Sequence, residues 1–259
     1  MELLVASLPY VIFVATVFGL VVGSFLNVCI YRIPRNISVN GNHGRSMCAN
    51  CGKTLKSYDL IPLFSYLILG GKCRFCKKHI SFRYPLVESI NALLWGLCVW
   101  FYGLTPEMAV YAVFCSVLLV LSMIDLDTQE IPYRLQVIIL SLGVISLFLS
   151  GFSGIKERLI GLVVVSVPMV MITLISGGFG GGDIQLMAVS GFLLGYQNNL
   201  LAMIIGTILA AIVGVFVARR TKKDEEKVKI PFGPFLSIGL ISALFWGQEI
   251  YRWYFSFFL

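Results

Sequence analysis

Two aspartates lie at the ends of long apolar stretches of the sequence. Asp125 follows the apolar residues 107–124, and Asp183 precedes the apolar residues 184–197. Acidic side chains at membrane depth are costly and are usually retained for function. Two carboxylates held close together can share one proton, so that the charged one activates water while the protonated one polarises a peptide carbonyl. The pair therefore predicts an aspartyl protease site.

The strings around the two aspartates also allow a plainer interpretation. Asp125 lies in Ile-Asp-Leu-Asp-Thr-Gln-Glu-Ile-Pro, and five of the six residues 177–182 before Asp183 are glycine. Either string alone could be a helix cap or a flexible linker, although glycines also let a substrate strand pass close to the backbone. Taken together, the two strings favour a catalytic pair. We expect Asp127 to be a solvated turn residue.

Four cysteines form two Cys-x-x-Cys pairs separated by 21 residues: Cys48 and Cys51, then Cys73 and Cys76. Four thiolates at this spacing predict a tetrahedral zinc site, and the zinc would be structural because all four positions are filled. A redox dithiol site and structural disulfides are the alternatives. The distribution of basic residues places these cysteines in the reducing cytoplasm, which argues against disulfides.

The composition is that of a membrane protein. Of the 259 residues, 58% are hydrophobic and 13% are charged, and the mean hydropathy is +0.89. These values predict an all-α polytopic membrane protein. About eight transmembrane helices are expected, at residues 8–30, 85–102, 107–124, 135–150, 159–176, 184–197, 199–218 and 231–247.

Three regions follow from this pattern. Residues 1–30 would form the first transmembrane span, residues 31–84 a small cytoplasmic zinc-ribbon-like insertion, and residues 85–259 a membrane-embedded peptidase domain. The net charge of +7 could suggest nucleic acid, but the positive charges are concentrated beside the apolar spans. That location is typical of loops facing anionic lipid, so we expect the lipid bilayer as a partner and no nucleic acid.

The distribution of lysine and arginine predicts the orientation. Residues 31–84 hold ten of the 20 basic residues and residues 219–230 hold six; with Arg134, eight spans place 17 on one side. The positive-inside rule makes this side the cytoplasm, in a multi-pass protein of the cytoplasmic (inner) membrane. Both Asp125 and Asp183 fall at this face. The span after Asp183 gives roughly 20 Å of helix, whereas the hydrocarbon core is roughly 30 Å thick. The shortfall predicts that Asp183 lies below the membrane surface.

Several strings of the chain resemble the bacterial type IV prepilin peptidases, which are GxGD-type membrane aspartyl proteases of pilus, type II secretion and competence systems. The resemblance runs nearly end to end and includes both cysteine pairs. The other matching strings are Gly23-Ser-Phe-Leu-Asn-Val-Cys-Ile-Tyr-Arg-Ile-Pro34, Ser81-Phe-Arg-Tyr-Pro-Leu-Val-Glu88, Asp125-Leu-Asp-Thr-Gln-Glu-Ile-Pro132, Gly180-Gly-Gly-Asp183 and Ile230-Pro-Phe-Gly-Pro-Phe235.

The resemblance implies that Asp125 and Asp183 are the catalytic acids. It implies that the enzyme removes the short basic leader of prepilins or pseudopilins, cutting after a glycine on the cytoplasmic side. It also implies methylation of the new N-terminus with S-adenosylmethionine, as in members that carry the cysteine domain. The residues of the loop give no support for methylation, since it has no glycine-rich nucleotide fingerprint. The chain departs from the family pattern at Tyr133 and Gln185, and neither change removes a catalytic group.

Two other classes of protein share parts of this pattern. Ion-coupled transporters also place acids and glycine loops beside short spans, but they often carry internal repeats, of which this sequence gives no convincing sign. A membrane thiol oxidoreductase could use the two Cys-x-x-Cys pairs. Stoichiometric zinc and redox-inert cysteines would exclude it. Prepilin peptidase is the preferred prediction.

Overall fold

The computed structural model describes residues 2–39, 46–48, 50–220 and 230–257, without the side chains of residues 2–7. Its regular structure is helical, with a short 3₁₀ turn at Ser57–Leu60 and two isolated β-bridges. The α-helices are α1 Glu2–Arg32, α2 Phe64–Ile68, α3 Arg83–Tyr102, α4 Pro106–Thr128, α5 Tyr133–Leu149, α6 Ile155–Val164, α7 Ser166–Ser176, α8 Gly181–Leu194, α9 Tyr196–Arg220 and α10 Gly233–Phe255.

The helices confirm the predicted fold class, an all-α polytopic membrane protein with a small four-cysteine insertion. Helical structure occupies most of each of the eight predicted spans. Among the residues that the structure describes, five helical segments are long and apolar enough to cross a membrane, whereas α5 and α8 are apolar but shorter. The five are Leu8–Arg32, Arg83–Tyr102, Pro106–Thr128, Ile155–Ser176 and Tyr196–Arg220.

The predicted span 159–176 differs in one respect, because it consists of two helices, α6 and α7, that meet at Val165. The local sequence explains the break. Pro168 has no N–H to bond the carbonyl four residues earlier, and the Ser166 hydroxyl donates instead to the Leu162 carbonyl. Both effects weaken the helical hydrogen bonds of this turn.

The chain divides into two compact units, residues 1–120 and 121–259. In the first unit, α1 and α3 pack as an antiparallel pair through glycines. A Cβ at Gly19 would lie 2.9 Å from the Ala92 Cα, and one at Gly23 would lie 2.8 Å from the Glu88 Cα. Small residues at a helix interface allow this close approach in membranes. The buried Asn91 side chain adds a hydrogen bond to the Gly19 carbonyl at 2.8 Å.

The second unit contains the remainder of α4 and α5 to α10, and glycines again allow its helices to approach. Gly161 of α6 faces Gly191 of α8, and Gly239 of α10 faces Ala202 of α9, without room for a Cβ in either case. Asn199 donates to the carbonyls of Gly161 and Met187, so its side chain links α9 to α6 and α8. These contacts fix α8, whose first turn carries Asp183, against α6 and α9.

Candidate active site

Asp125 lies in the last turns of α4 and is only 4% exposed. The backbone N–H of Gly233, the first residue of α10, donates to its Oδ2 at 2.8 Å. A Cβ on Gly233 would lie 2.8 Å from the same oxygen, so only glycine brings this N–H so close. The bond orients the Asp125 carboxylate from a residue 108 positions away in sequence.

Asp183 lies in the first turn of α8, whose N-cap is Gly180. The Asp183 carboxyl accepts a hydrogen bond from the backbone N–H of Gly180. The carboxyl lies at the N-terminus of the helix, where the helix dipole favours negative charge. The preceding residue is fixed as well. Gln136 donates to the Gly182 carbonyl at 3.0 Å, and a Cβ on Gly182 would lie 2.8 Å from the Ile131 Cβ. The helix start that carries Asp183 therefore has a defined position.

The two aspartates lie close enough for the charge on Asp125 to act on the Asp183 carboxyl. A pair of aromatic rings joins the loops beside them. Phe179, in the glycine loop before α8, and Phe232, next to Gly233, have ring centroids 5.7 Å apart with planes inclined at 43°. The structure thus brings together the predicted acids, the glycine loop and the string 230–235.

Asp127 has the exposed side chain that we expected, but it lies in the last turn of helix α4 and not in a turn between helices. The sequence did not single out Gln136, a buried polar residue in the apolar helix α5. The only sign of its importance in the sequence was a single glutamine near the start of the apolar run that forms α5. The sequence also did not single out Phe179, because a glycine-rich loop gives no indication of which other ring its single aromatic side chain contacts.

The four cysteines of the two Cys-x-x-Cys pairs form one cluster, in which all Sγ atoms lie within 4.8 Å of one another. The Sγ atoms of Cys48 and Cys76 are 3.9 Å apart. Tetrahedral zinc with Zn–S bonds of about 2.3 Å would separate its sulfur ligands by about 3.8 Å. The donor set therefore fits a metal ion of this kind.

Two similar backbone turns present these thiols. In the first, the Gly52 N–H donates to the Cys48 carbonyl, and in the second the Lys77 N–H donates to the Cys73 carbonyl. Gly52 and Lys77 both have positive φ, at 66° and 57°. Hydrogen bonds from the backbone of Cys51 and Asn50 lower the pKa of Cys48 to about 6. That thiol is thus a ready metal ligand, because metals bind the thiolate.

Comparison with known proteins identifies the family of the chain. Residues 17–102 match the bacterial peptidase A24 N-terminal domain, and residues 112–215 match the type IV leader peptidase family. The prepilin leader peptidase/N-methyltransferase of Pseudomonas aeruginosa is 35% identical, over 97% of this chain and 96% of its own length. The protein of the same name from Bacillus subtilis is 32% identical, over 92% and 95%. No solved structure matches the chain.

The chain therefore belongs to the type IV leader peptidase family. The matched residues include both the part of the chain that carries the cysteines and the part that carries the two aspartates. This membership disfavours the two other classes considered from the sequence, the ion-coupled transporter and the membrane thiol oxidoreductase.

Proposed function

We propose that this protein is a prepilin leader peptidase that uses Asp125 and Asp183 as its catalytic pair. The observation that carries the proposal is the placement of Asp125, which is nearly buried, held by the Gly233 N–H, and within electrostatic reach of Asp183. Two neighbouring carboxyl groups share one proton more readily than they both ionise, because two negative charges close together repel each other. That protonation state is the one peptide hydrolysis requires.

In the reaction, the ionised carboxylate takes a proton from a water molecule as the water oxygen attacks the scissile carbonyl carbon. The protonated carboxyl polarises the carbonyl oxygen. Breaking of the C–N bond transfers a proton to the leaving amine, and the pair returns to its singly protonated state. The Gly233 N–H keeps one carboxylate oriented throughout, and the α8 N-terminus stabilises negative charge on the other.

The substrates are prepilins, which the names of the relatives support, or the related pseudopilins. Their basic leader would be cut off at the cytoplasmic face of the inner membrane, after a glycine. The segregation of 17 of the 20 basic residues to the side of the two aspartates supports this orientation. Residues 1–30, 31–84 and 85–259 would then be the first span, the cytoplasmic zinc domain and the peptidase domain.

The metal of the four-cysteine cluster is zinc in a structural role. Cys48, Cys51, Cys73 and Cys76 supply four thiolates and leave no open position for water, so the metal would stabilise the loop. Methylation of the new N-terminus with S-adenosylmethionine is supported by the relatives' names. The described residues identify no set of side chains that fits this donor, so we assign it none.

The test is cleavage of a purified prepilin by the full-length protein in lipid nanodiscs. Asp125→Asn and Asp183→Asn should each lower the rate at least about 1,000-fold, because neither amide can exchange the proton. Asp127→Asn is the matched control, since this exposed aspartate lies two residues from Asp125, and it should retain activity. Full activity of either catalytic variant, or equal loss in the control, would reject the assignment.

A further inference from the structure

The loop that carries the cysteines exposes an unusual apolar surface on the short helix α2. Phe64, Leu67 and Ile68 are 63%, 73% and 79% exposed. Their spacing of three and four residues places them on one face of the helix. Phe82, just before α3, is 66% exposed. A contiguous apolar surface of this kind on a water-facing loop indicates an interaction site.

A part-buried hydrogen bond places the start of α2 beside the first turns of α3. The Leu63 N–H, at the N-cap of α2, donates to the Glu88 Oε2 at 2.9 Å. Helix α3 has 20 residues, or about 30 Å, which matches the thickness of the hydrocarbon core. Arg83, its first residue, therefore marks the boundary, and Glu88 lies about 7.5 Å further along the helix axis. The start of α2 accordingly lies beside the first turns of a spanning helix, below the level of Phe82.

The same contacts make this placement rigid. Glu88 is only 8% exposed, and Leu63 has φ 57° and ψ −49°, a conformation that leucine rarely adopts. The bond to Glu88 compensates for that backbone strain. In the middle of α2, the Tyr66 ring contacts the Phe82 ring edge-on, with centroids 6.4 Å apart, and the Tyr66 hydroxyl donates to the Ile80 carbonyl.

The charges of the loop suit a lipid surface. Lys72, Lys77 and Lys78 follow α2 in sequence, and all three are exposed. Basic residues beside an apolar helix face are typical of segments that lie in the headgroup layer of anionic membranes, with their apolar face about 5–10 Å into the headgroup–acyl boundary.

We propose that α2 is an interfacial membrane anchor, with Phe64, Leu67 and Ile68 inserted at the headgroup–acyl boundary of the bilayer. The anchor and the Glu88 bond would together hold the cysteine loop against the membrane surface beside α1 and α3. The insertion is then only partly in water, unlike the wholly cytoplasmic domain predicted from the sequence. This inference does not depend on the peptidase assignment.

The test uses the full-length protein in nanodiscs that contain a phospholipid with a diazirine near the glycerol end of its acyl chain. After irradiation, mass spectrometry locates the lipid adducts. We expect adducts on Leu67 and Ile68. Adducts on Leu86 of α3, which is 41% exposed and lies three residues from Arg83, provide the internal standard.

The absence of adducts on Leu67 and Ile68 while Leu86 is labelled would overturn the proposal. A second measurement replaces Ile68 with p-benzoylphenylalanine, which we expect to cross-link to lipid. Cross-linking to a second copy of the chain or to another protein would show instead that α2 is a protein–protein interface.

Discussion

Replacing Gly233 with alanine should disable the proposed acid pair by displacing one carboxylate. The new Cβ would lie 2.8 Å from the Asp125 Oδ2, 3.2 Å from its Cγ and 3.3 Å from its Cβ, so the whole side chain must move. The hydrogen bond from the Gly233 N–H, now 2.8 Å, would be lost or lengthened. A hydrogen bond to a charged group contributes about 1.5–3 kcal/mol, which corresponds to a roughly 10- to 150-fold lower kcat.

The assay is prepilin cleavage at saturating substrate, with thermal unfolding measured on the same samples. Gly181→Ala is the matched control, because a Cβ there meets nothing within 4 Å although it lies two residues from Asp183. It should retain kcat within about twofold, since an open site adds no steric cost. Wild-type kcat in Gly233→Ala, or an equal loss in Gly181→Ala, would refute the view that this contact positions Asp125.

Three further perturbations have expected outcomes. Gln136→Leu removes the hydrogen bond to the Gly182 carbonyl, next to Asp183. Loss of this bond costs about 1 kcal/mol and should lower kcat about fivefold. The control Gln185→Leu, at an exposed position, should leave kcat unchanged, and equal effects of the two substitutions would contradict this. Phe179→Ala and Phe232→Ala should each lower kcat. The fold-loss of the double variant should be smaller than the product of the two single fold-losses, because the rings contact each other. A fold-loss equal to that product would show that the two rings are not coupled. Cys73→Ser should abolish stoichiometric zinc binding and lower the Tm by at least about 5 °C; an unchanged Tm with zinc retained would exclude the structural site.

The positions of the spanning helices could be predicted because apolar run length and flanking charge determine them directly. Proline chemistry was visible at Pro168, but a single apolar run from 159 to 176 gave no reason to divide the span there. The shortness of α8, 14 residues, was predicted from the short apolar run that follows Asp183. Its consequence for the depth of Asp183 remains a prediction.

The contacts that orient the site could not be derived from sequence. The bond from Gly233 to Asp125 joins residues 108 positions apart, and it depends on the crossing of helix ends that no local pattern encodes. Glu88 could be matched to the family, yet only the structure shows that its carboxylate binds the Leu63 backbone. The cysteine cluster is the opposite case, since the spacing of its ligands predicted the geometry found.

The central claim is that Asp125 and Asp183 act as one unit, and comparing single and double variants tests it most directly. Cleavage rates of Asp125→Asn, Asp183→Asn and the double variant should be nearly equal, because either substitution alone removes the shared proton. A double variant slowed by the product of the two single effects would mean that each aspartate contributes independently. That result would contradict a mechanism in which the two carboxyls share one proton.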